Sequence, residues 1–149
     1  MAEMTSSTTV IAAPREAVMA VIADFPAYPE WAGAFRSAEV TQPGQNGRAR
    51  QVRFSLDAGF IKDKFVLEYD WDADTRSSWQ LAEPTAVLSE LTGSYLLADH
   101  DLGTRVTYEL TVSLRIPMIG MVKRRAEKMI IDQALKGLKK RAEHLGDAR

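Results

Sequence analysis

The feature that most constrains this chain is a long stretch of alternating apolar and polar residues, followed by one long amphipathic segment. From 37 to 114 the hydrophobic pattern has a period of two, which is typical of antiparallel strands with one face in water. In the clearest of these strands, 61–71, Phe65 and Tyr69 share one face and charged residues share the other. From 118 to 145 the pattern changes to the period of an α-helix.

Proline, glycine and other turn residues separate the remaining elements. Pro14 suits the first turn of a helix, and Pro26 and Pro29 end that helix. The predicted helices are 15–25, a short helix or turn at 30–35, and 118–145. The predicted strands are 5–11, 38–41, 48–56, 61–71, 77–81, 87–97 and 104–114.

One face of the predicted sheet is aromatic and needs a cover. Its side chains are Phe54, Phe65, Tyr69, Trp71, Trp79 and Tyr108, and in the 87–97 strand we expect Leu91, Gly93, Tyr95 and Leu97 to point inward. The 118–145 helix is the only large cover, and its length of about 40 Å is enough to cross a curved sheet. One helix is narrower than six strands, so an apolar pocket is expected between them.

These patterns predict an α+β fold in a single domain, 1–149. A curved antiparallel sheet of about six to seven strands surrounds one long C-terminal helix, and two short helices follow the first strand.

The composition argues against several classes of site. The chain has no cysteine and only two histidines, His100 and His144, so disulfides, thiolate sites and a multi-histidine metal centre are not expected. The inward strand positions hold no Asp or Glu, which weakens an acid–base mechanism. We therefore expect no metal and no cofactor, and the catalytic residues, if there are any, stay unassigned.

Charge and hydropathy bear on partners and location. Residues 118–149 carry nine Lys or Arg and four Asp or Glu, a balance of +5, whereas 1–117 carry ten and sixteen, a balance of −6. A basic helix could touch a nucleic acid or an anionic membrane. The simpler interpretation is a solvated face, so we expect no nucleic acid partner and leave open a transient contact with a membrane surface.

No membrane span and no secretory signal are expected, which makes a cytoplasmic protein the default. The oligomeric state is not predicted.

The candidate ligand-binding residues lie on the inward faces. Those with aromatic or apolar side chains are Trp31, Phe54, Phe65, Trp71, Trp79, Tyr95 and Met129. Tyr69, Tyr108 and Gln133 carry a polar group on a predicted apolar face, and an unpaired buried group costs about 1–3 kcal/mol, so each needs a partner. Trp31 is either a plug between the short helices and the sheet or a wall of the pocket mouth.

Gln133 is the sharpest of these candidates because it lies near the centre of the predicted apolar face of the last helix. That face comprises Ile119, Val122, Ala126, Met129, Ile130, Ala134, Gly137 and Leu138. An amide there either lines the cavity or bonds to Tyr69, Tyr108 or a strand carbonyl. Arg48 and Arg50 form a candidate polar mouth for an acidic ligand.

Several short segments resemble a known family. They are Val-Ile-Ala-Ala-Pro at 10–14, Glu-Ala-Val at 16–18, Asp24, Tyr-Pro-Glu-Trp at 28–31, Gly-Ser-Tyr at 93–95 and Gly-Thr-Arg-Val-Thr at 103–107. Together with the long last helix, they resemble the START-like (SRPBCC) superfamily over essentially the whole chain. The nearest branch is polyketide cyclase/dehydrase, which is related to the coenzyme Q-binding START proteins. The resemblance implies a helix-grip (START/Bet v 1-like) fold that holds a lipid, an isoprenoid or quinone, or a polyketide.

Three functions are compatible with these observations. The preferred function is the binding of a hydrophobic or amphipathic small molecule between sheet and helix, without covalent catalysis. The alternative is a polyketide aromatase/cyclase-type enzyme that folds a reactive chain in a shaped pocket, with Tyr69, Tyr108 and Arg50 assisting proton transfers. The second alternative is an interaction protein that uses the basic last helix.

Overall fold

The structure is a computed structural model that describes residues 4–59 and 62–147. Over these residues the chain folds into seven strands and three helices. The helices are α1 (Arg15–Ala23), α2 (Tyr28–Trp31) and α3 (Gly120–Asp147), with 3₁₀ turns at Phe25–Ala27 and Gln45–Gly47. The strands are β1 (Thr5–Ile11), β2 (Phe35–Gln42), β3 (Gln51–Asp57), β4 (Lys62–Asp72), β5 (Arg76–Leu81), β6 (Leu88–His100) and β7 (Gly103–Leu114).

All seven strands belong to one antiparallel sheet, in the order β1-β7-β6-β5-β4-β3-β2. β1 and β2 are consecutive in the chain but form the two opposite edges, so the α1–α2 segment connects one edge to the other. The pairing shifts register twice in β2 and once near the start of β6, and such bulges bend and twist a strand. The curved sheet and α3 together enclose the core.

The alternation of the strands determines which side chains enter the core. In β7 the buried residues are Val106, Tyr108, Leu110 and Val112, and in β3 they are Val52, Phe54 and Leu56. In β6, the predicted inward residues Leu91, Tyr95 and Leu97 are buried. The register of these strands is fixed, because a shift by one residue would turn all of their apolar side chains toward water.

α3 packs on β1, β7 and the short helices with a stripe of small and aliphatic residues. The stripe consists of Ala126, Ile130, Ile131, Ala134, Leu135, Leu138 and Ala142. Gly137 permits direct backbone contact, since a Cβ at that position would overlap the carbonyl oxygen of Trp31.

Hydrogen bonds fix the edge strand β1 to α3. Lys139 Nζ donates to the carbonyl oxygen of Val10 at 2.7 Å, and the Ala12 amide donates to Glu143 Oε2 at 2.8 Å. The Ala12 amide and the Lys139 ammonium lower the pKa of the Glu143 carboxyl. The first strand and the last helix therefore depend on each other.

The predicted fold class is confirmed, and the differences lie at element boundaries. The second helix was predicted at 30–35 but ends at Trp31, because Phe35 already pairs with Leu56 in the sheet. The strand predicted at 48–56 begins at Gln51, after the Gln45–Gly47 turn. Ile61, where we predicted the start of β4, lies outside the described residues.

The prediction of which side of the last helix is buried is partly wrong. Gln133 is exposed, and Ile119 precedes the helix and is 74% exposed. Ile131 and Leu135, absent from the predicted face, are buried. Each lies two positions from Gln133 and therefore points about 200° around the helix from it. The error arose because the apolar residues on this helix cover more of its circumference than the sheet can bury.

The close contact at Gly137 generates a test of the packing. Gly137→Ala should lower the free energy of unfolding by about 1–3 kcal/mol, because the added methyl group forces α3 away from the Trp31 backbone. Gly120→Ala, on the same helix, is the matched control, since its Cβ would meet only the Arg124 guanidinium at 3.5 Å. Chemical denaturation of both variants measures the difference. Equal stability of the two would contradict the described contact.

Candidate ligand-binding cavity

A cavity lies between the sheet and the first half of α3, and its walls come mostly from the inward strand positions. Eighteen described residues line it, and all except Lys123 and Glu127 are aromatic or aliphatic. The lining includes six residues predicted from the sequence, namely Phe54, Phe65, Tyr69, Trp79, Tyr95 and Tyr108. The structure therefore brings these six together around one space.

The register of the sheet explains why aromatic rings gather here. Phe54 pairs with Phe65, Tyr69 with Trp79, and Tyr95 with Tyr108, each directly across neighbouring strands. The ring centroids of these pairs are 5.8, 5.7 and 4.6 Å apart. Cross-strand aromatic pairs of this kind stabilise a sheet, so the walls are held by the same contacts that form the core.

The absence of a side chain at Gly93 leaves room for the Trp79 ring in the cavity wall. Trp79 lies opposite Gly93 in the β5–β6 register, and a Cβ on Gly93 would lie 2.6 Å from the indole ring. The ring therefore lies directly against the β6 backbone, and any side chain at position 93 would push it into the cavity.

Four tyrosines provide polar groups in this apolar lining. Tyr28 donates from its hydroxyl to the carbonyl oxygen of Ile22 at 2.5 Å. The hydroxyls of Tyr69, Tyr95 and Tyr108 form no hydrogen bond with the residues that the structure describes. These three hydroxyls are not fully enclosed. Among the described residues, the fully enclosed polar side-chain atoms without a hydrogen-bond partner are Trp31 Nε1 and Ser77 Oγ. Three hydroxyls are thus free to bond to a molecule in the cavity.

Burial keeps these tyrosines protonated. Desolvation raises the pKa of all four phenols well above the usual value. For Tyr28, Tyr69 and Tyr95, the charge of neighbouring tyrosines raises the pKa further. At neutral pH the hydroxyls are hydrogen-bond donors as well as acceptors.

An ion pair forms one end of the cavity. Lys123 Nζ lies 2.6 Å from Glu127 Oε2, and Thr5 Oγ1 donates to Glu127 Oε1 at 2.9 Å. Glu127 is only 3% exposed. Both charged residues also line an outer groove next to Met4 and Ile116, so this ion pair separates the cavity from the surface.

The predicted site residues did not include Lys123 and Glu127. The inward strand positions hold no Asp or Glu, and this carboxylate comes from the helix instead. Glu127 lies one helical turn before Ile131 and two before Leu135, so a charged residue inside an apolar stripe was the available signal.

The enclosed space is small. The cavity volume is about 60 Å³, enough for a few waters at roughly 10–15 Å³ each. A ligand with several rings would need the aromatic side chains or the start of α3 to move.

Four predicted site residues do not reach this cavity. Gln133 faces solvent, and Met129 packs half-buried beside the core. The Trp31 ring packs against the Tyr28 ring at an angle of 58°, with centroids 4.7 Å apart, and the Trp31 backbone contacts α3 at Gly137. Trp71 is half-buried and donates from Nε1 to the carbonyl oxygen of Ala49 at 2.7 Å. Trp31 and Trp71 therefore help to hold the fold together around the cavity.

The predicted polar mouth lies in a different groove. Arg48 pairs with Asp74 at 2.8 Å and places its guanidinium 5.3 Å from the centre of the Trp71 ring. Arg50 is exposed in the same groove, which shares only Tyr69 with the cavity lining among the described residues. The structure thus does not bring the two arginines to the cavity, because Arg48 is occupied in fixing the β4–β5 turn.

Two further observations concern metals and membranes. Among residues 4–59 and 62–147, no group of three His, Asp or Glu side chains could hold a metal ion, and His100 Nδ1 accepts a hydrogen bond from the Leu102 amide. The helices of that part of the chain include none that is long and apolar enough to cross a membrane.

Comparison with known proteins gives a family match and several fold matches. A family described as "Polyketide cyclase / dehydrase and lipid transport" matches residues 1–143. No curated protein matches.

Among solved structures, a START superfamily protein from Mycobacterium smegmatis is similar, with a TM-score of 0.85 and 20% identity over 95% of this chain and 98% of that chain. The Zhui aromatase/cyclase from Streptomyces sp. R1128 has a TM-score of 0.79 and 16% identity over 96% and 94% of the two chains. A protein from Thermus thermophilus has a TM-score of 0.77 and 23% identity over 94% and 97%. At these identities the structures establish the helix-grip fold.

The buried phenols predict an unusual alkaline titration. All four tyrosines of the chain line the cavity, and their pKa values are raised on folding. Their stabilising contribution is therefore complete below the unfolded value of about 10 and is lost as the pH rises above it. Phenolate absorbance should appear only together with the loss of far-UV circular dichroism. Gradual phenol ionisation at unchanged circular dichroism would contradict the burial, and Tyr108→Phe should remove about one quarter of the amplitude.

Proposed function

Since this chain belongs to the polyketide cyclase / dehydrase and lipid transport family of the START-like superfamily, we propose that it binds a hydrophobic or amphipathic small molecule non-covalently in the cavity. One observation carries the proposal: three tyrosines whose hydroxyls have no protein partner among the described residues line a mostly aromatic and aliphatic cavity. A buried hydroxyl left unpaired costs about 1–3 kcal/mol. A ligand with a carbonyl or hydroxyl group would supply the missing partner.

The lining also defines the class of ligand. Aromatic and aliphatic walls favour a flat apolar body, and the hydroxyls of Tyr69, Tyr95 and Tyr108 favour oxygen atoms on that body. Water that enters the cavity in the absence of a ligand would bond to the same hydroxyls. The ligand would gain binding energy by displacing water from the aromatic surface while keeping the hydrogen bonds.

We infer that the path into the cavity lies at the Lys123–Glu127 pair. These residues border both the cavity and the outer groove, so separating them would connect the two. Lys123 and Glu127 lie near the start of α3, ahead of the close contact that Gly137 makes with Trp31. The start of the helix can therefore move without breaking that contact, and this movement would also enlarge the cavity for a larger ligand.

A second candidate function is an aromatase/cyclase-type enzyme, and Glu127 is the observation that favours it. It is a carboxylate at the edge of a cavity whose tyrosines stay protonated, so an acceptor and several donors surround the same space. Tyrosine hydroxyls could polarise a carbonyl while Glu127 takes a proton. Glu127→Gln would abolish cyclisation of a poly-β-ketone chain on this function, whereas binding would persist on the preferred one.

A matched pair of probes tests the preferred function. 2-Naphthol and naphthalene have the same ring system, and only the first carries a hydroxyl. We expect Tyr95→Phe and Tyr108→Phe each to weaken 2-naphthol binding by about 2–12-fold and to leave naphthalene binding unchanged. Trp79 is the reporter, because it is the one tryptophan of the three in the chain that lines the cavity.

Two variants serve as controls for this titration. Tyr28→Phe removes a hydroxyl that already bonds to Ile22, so it should lower stability without changing the preference for 2-naphthol. Trp79→Phe should remove the saturable fluorescence change while calorimetry still detects binding. If neither probe binds the unaltered protein in calorimetry or fluorescence, the proposed function fails for this size of ligand.

A further inference from the structure

Large apolar side chains gather in water at one end of the molecule. Ile119 is 74% exposed, Met121 61% and Met4 57%, and Ile116 is also exposed. Met4, Ile116 and Gly120 line the same outer groove, and Ile119 and Met121 are the chain neighbours of Gly120 at the start of α3. The other large exposed apolar residues of the described chain, Val40, Leu102 and Leu145, are scattered. We call Met4 together with residues 115–125 the apolar end.

The apolar end is also basic. Residues 115–128 include five Lys or Arg and one acidic residue, Glu127, which is buried against Lys123. Arg115, Arg124 and Arg125 are exposed and form no ion pair with other described residues. The β6–β7 register places one exposed carboxylate, Glu90, opposite Ser113, so the balance of charge stays positive.

The basic side chains lie beside the apolar ones. A Cβ on Gly120 would lie 3.5 Å from the Arg124 guanidinium, so this cation lies over the first turn of α3, next to the backbone that carries Ile119 and Met121. Exposed apolar groups flanked by cations match the interface of an anionic bilayer, where apolar groups enter the acyl boundary and cations meet lipid phosphates. A nucleic acid would use the cations and leave the apolar side chains in water.

We propose that the apolar end docks on an anionic lipid bilayer, with Ile119 and Met121 inserted at the headgroup–acyl boundary and Arg124 and Arg125 on the lipid phosphates. The outer groove at this end shares Val112, Leu114, Lys123 and Glu127 with the cavity lining. Docking therefore turns the Lys123–Glu127 end of the cavity toward the membrane. The inference goes beyond ligand binding and does not require it.

Vesicle co-sedimentation tests the docking. The probes are large unilamellar vesicles of phosphatidylcholine alone and of phosphatidylcholine with about one quarter phosphatidylglycerol. We expect the full chain to sediment with the anionic vesicles and not with the neutral ones, and added salt should weaken the association. Replacing Arg124 and Arg125 by Gln should lower the partition coefficient about fivefold for each residue. Ile119→Ser and Met121→Ser should each lower it about tenfold.

Matched controls distinguish docking at the apolar end from non-specific adsorption to the vesicles. Leu102 is 71% exposed but lies in the β6–β7 hairpin, at the other end of β7, so Leu102→Ser should leave the partition coefficient unchanged. Arg50→Gln with Arg53→Gln, both exposed on β3 or just before it, removes the same charge elsewhere and should have less effect than the Arg124 and Arg125 pair. Thermal melts confirm that each variant is folded.

Three results would overturn the proposal. The first is no sedimentation with anionic vesicles. The second is sedimentation that Ile119→Ser and Met121→Ser leave unchanged, which would indicate charge attraction alone, as for a nucleic acid. The third is an equal loss from the Leu102 control. None of these affects the 2-naphthol titration, which contains no vesicles, so the two proposals can fail separately.

Discussion

The structure depends on covering one aromatic sheet face with a single helix. α3 contacts β1, β7 and the short helices, and α1 reaches β6 and β7, while β4 and β5 make no comparable contact with a helix in the described part of the chain. Their cover comes from aromatic side chains, in contacts that run from Phe25 through Tyr69 and Trp79 to Tyr108. Close packing of these rings with α3 leaves a small residual space, and the cavity is that space. Its walls are therefore core residues, and three of its tyrosine hydroxyls have no protein partner among the described residues.

The fold could be predicted because its strongest signals are local and periodic. Strand alternation assigned the inward positions of β3, β6 and β7, and six of the ten predicted ligand-binding residues line the cavity. The buried face of α3 was harder to predict, because Ile119, Met121 and Met129 extend the apolar surface beyond the face that the sheet can bury. That surplus made Gln133 look central, although the buried stripe passes through Ile131 and Leu135. Where a helix carries more apolar surface than its neighbours cover, sequence alone does not reveal which part is inside.

The polar residues were the least predictable, because their partners are distant in sequence. Arg48 pairs with Asp74 and stacks on Trp71, so a residue that looked available to a ligand is already engaged. Glu127 is buried because Thr5, 122 residues away, donates to it and Lys123 neutralises it. Neither the Arg48–Asp74 contact nor the Thr5–Glu127 contact leaves a trace in the periodicity of the chain, although the position of Glu127 within an apolar stripe does. Composition and spacing can place a charged residue on an element, but only tertiary contacts determine whether it is free.

The position of β1 at the edge of the sheet has a consequence for how the chain reaches its native state. Thr5 pairs with Leu110 and Ile11 with Thr104, so this strand cannot dock before β7 exists. β2 to β7, in contrast, pair with their immediate neighbours in sequence. Contacts between residues so far apart close slowly. During synthesis at the ribosome the aromatic face therefore stays open until α3 emerges, because β1 cannot pair before β7 is made and α3 is made last. In this interval the exposed apolar surface favours aggregation.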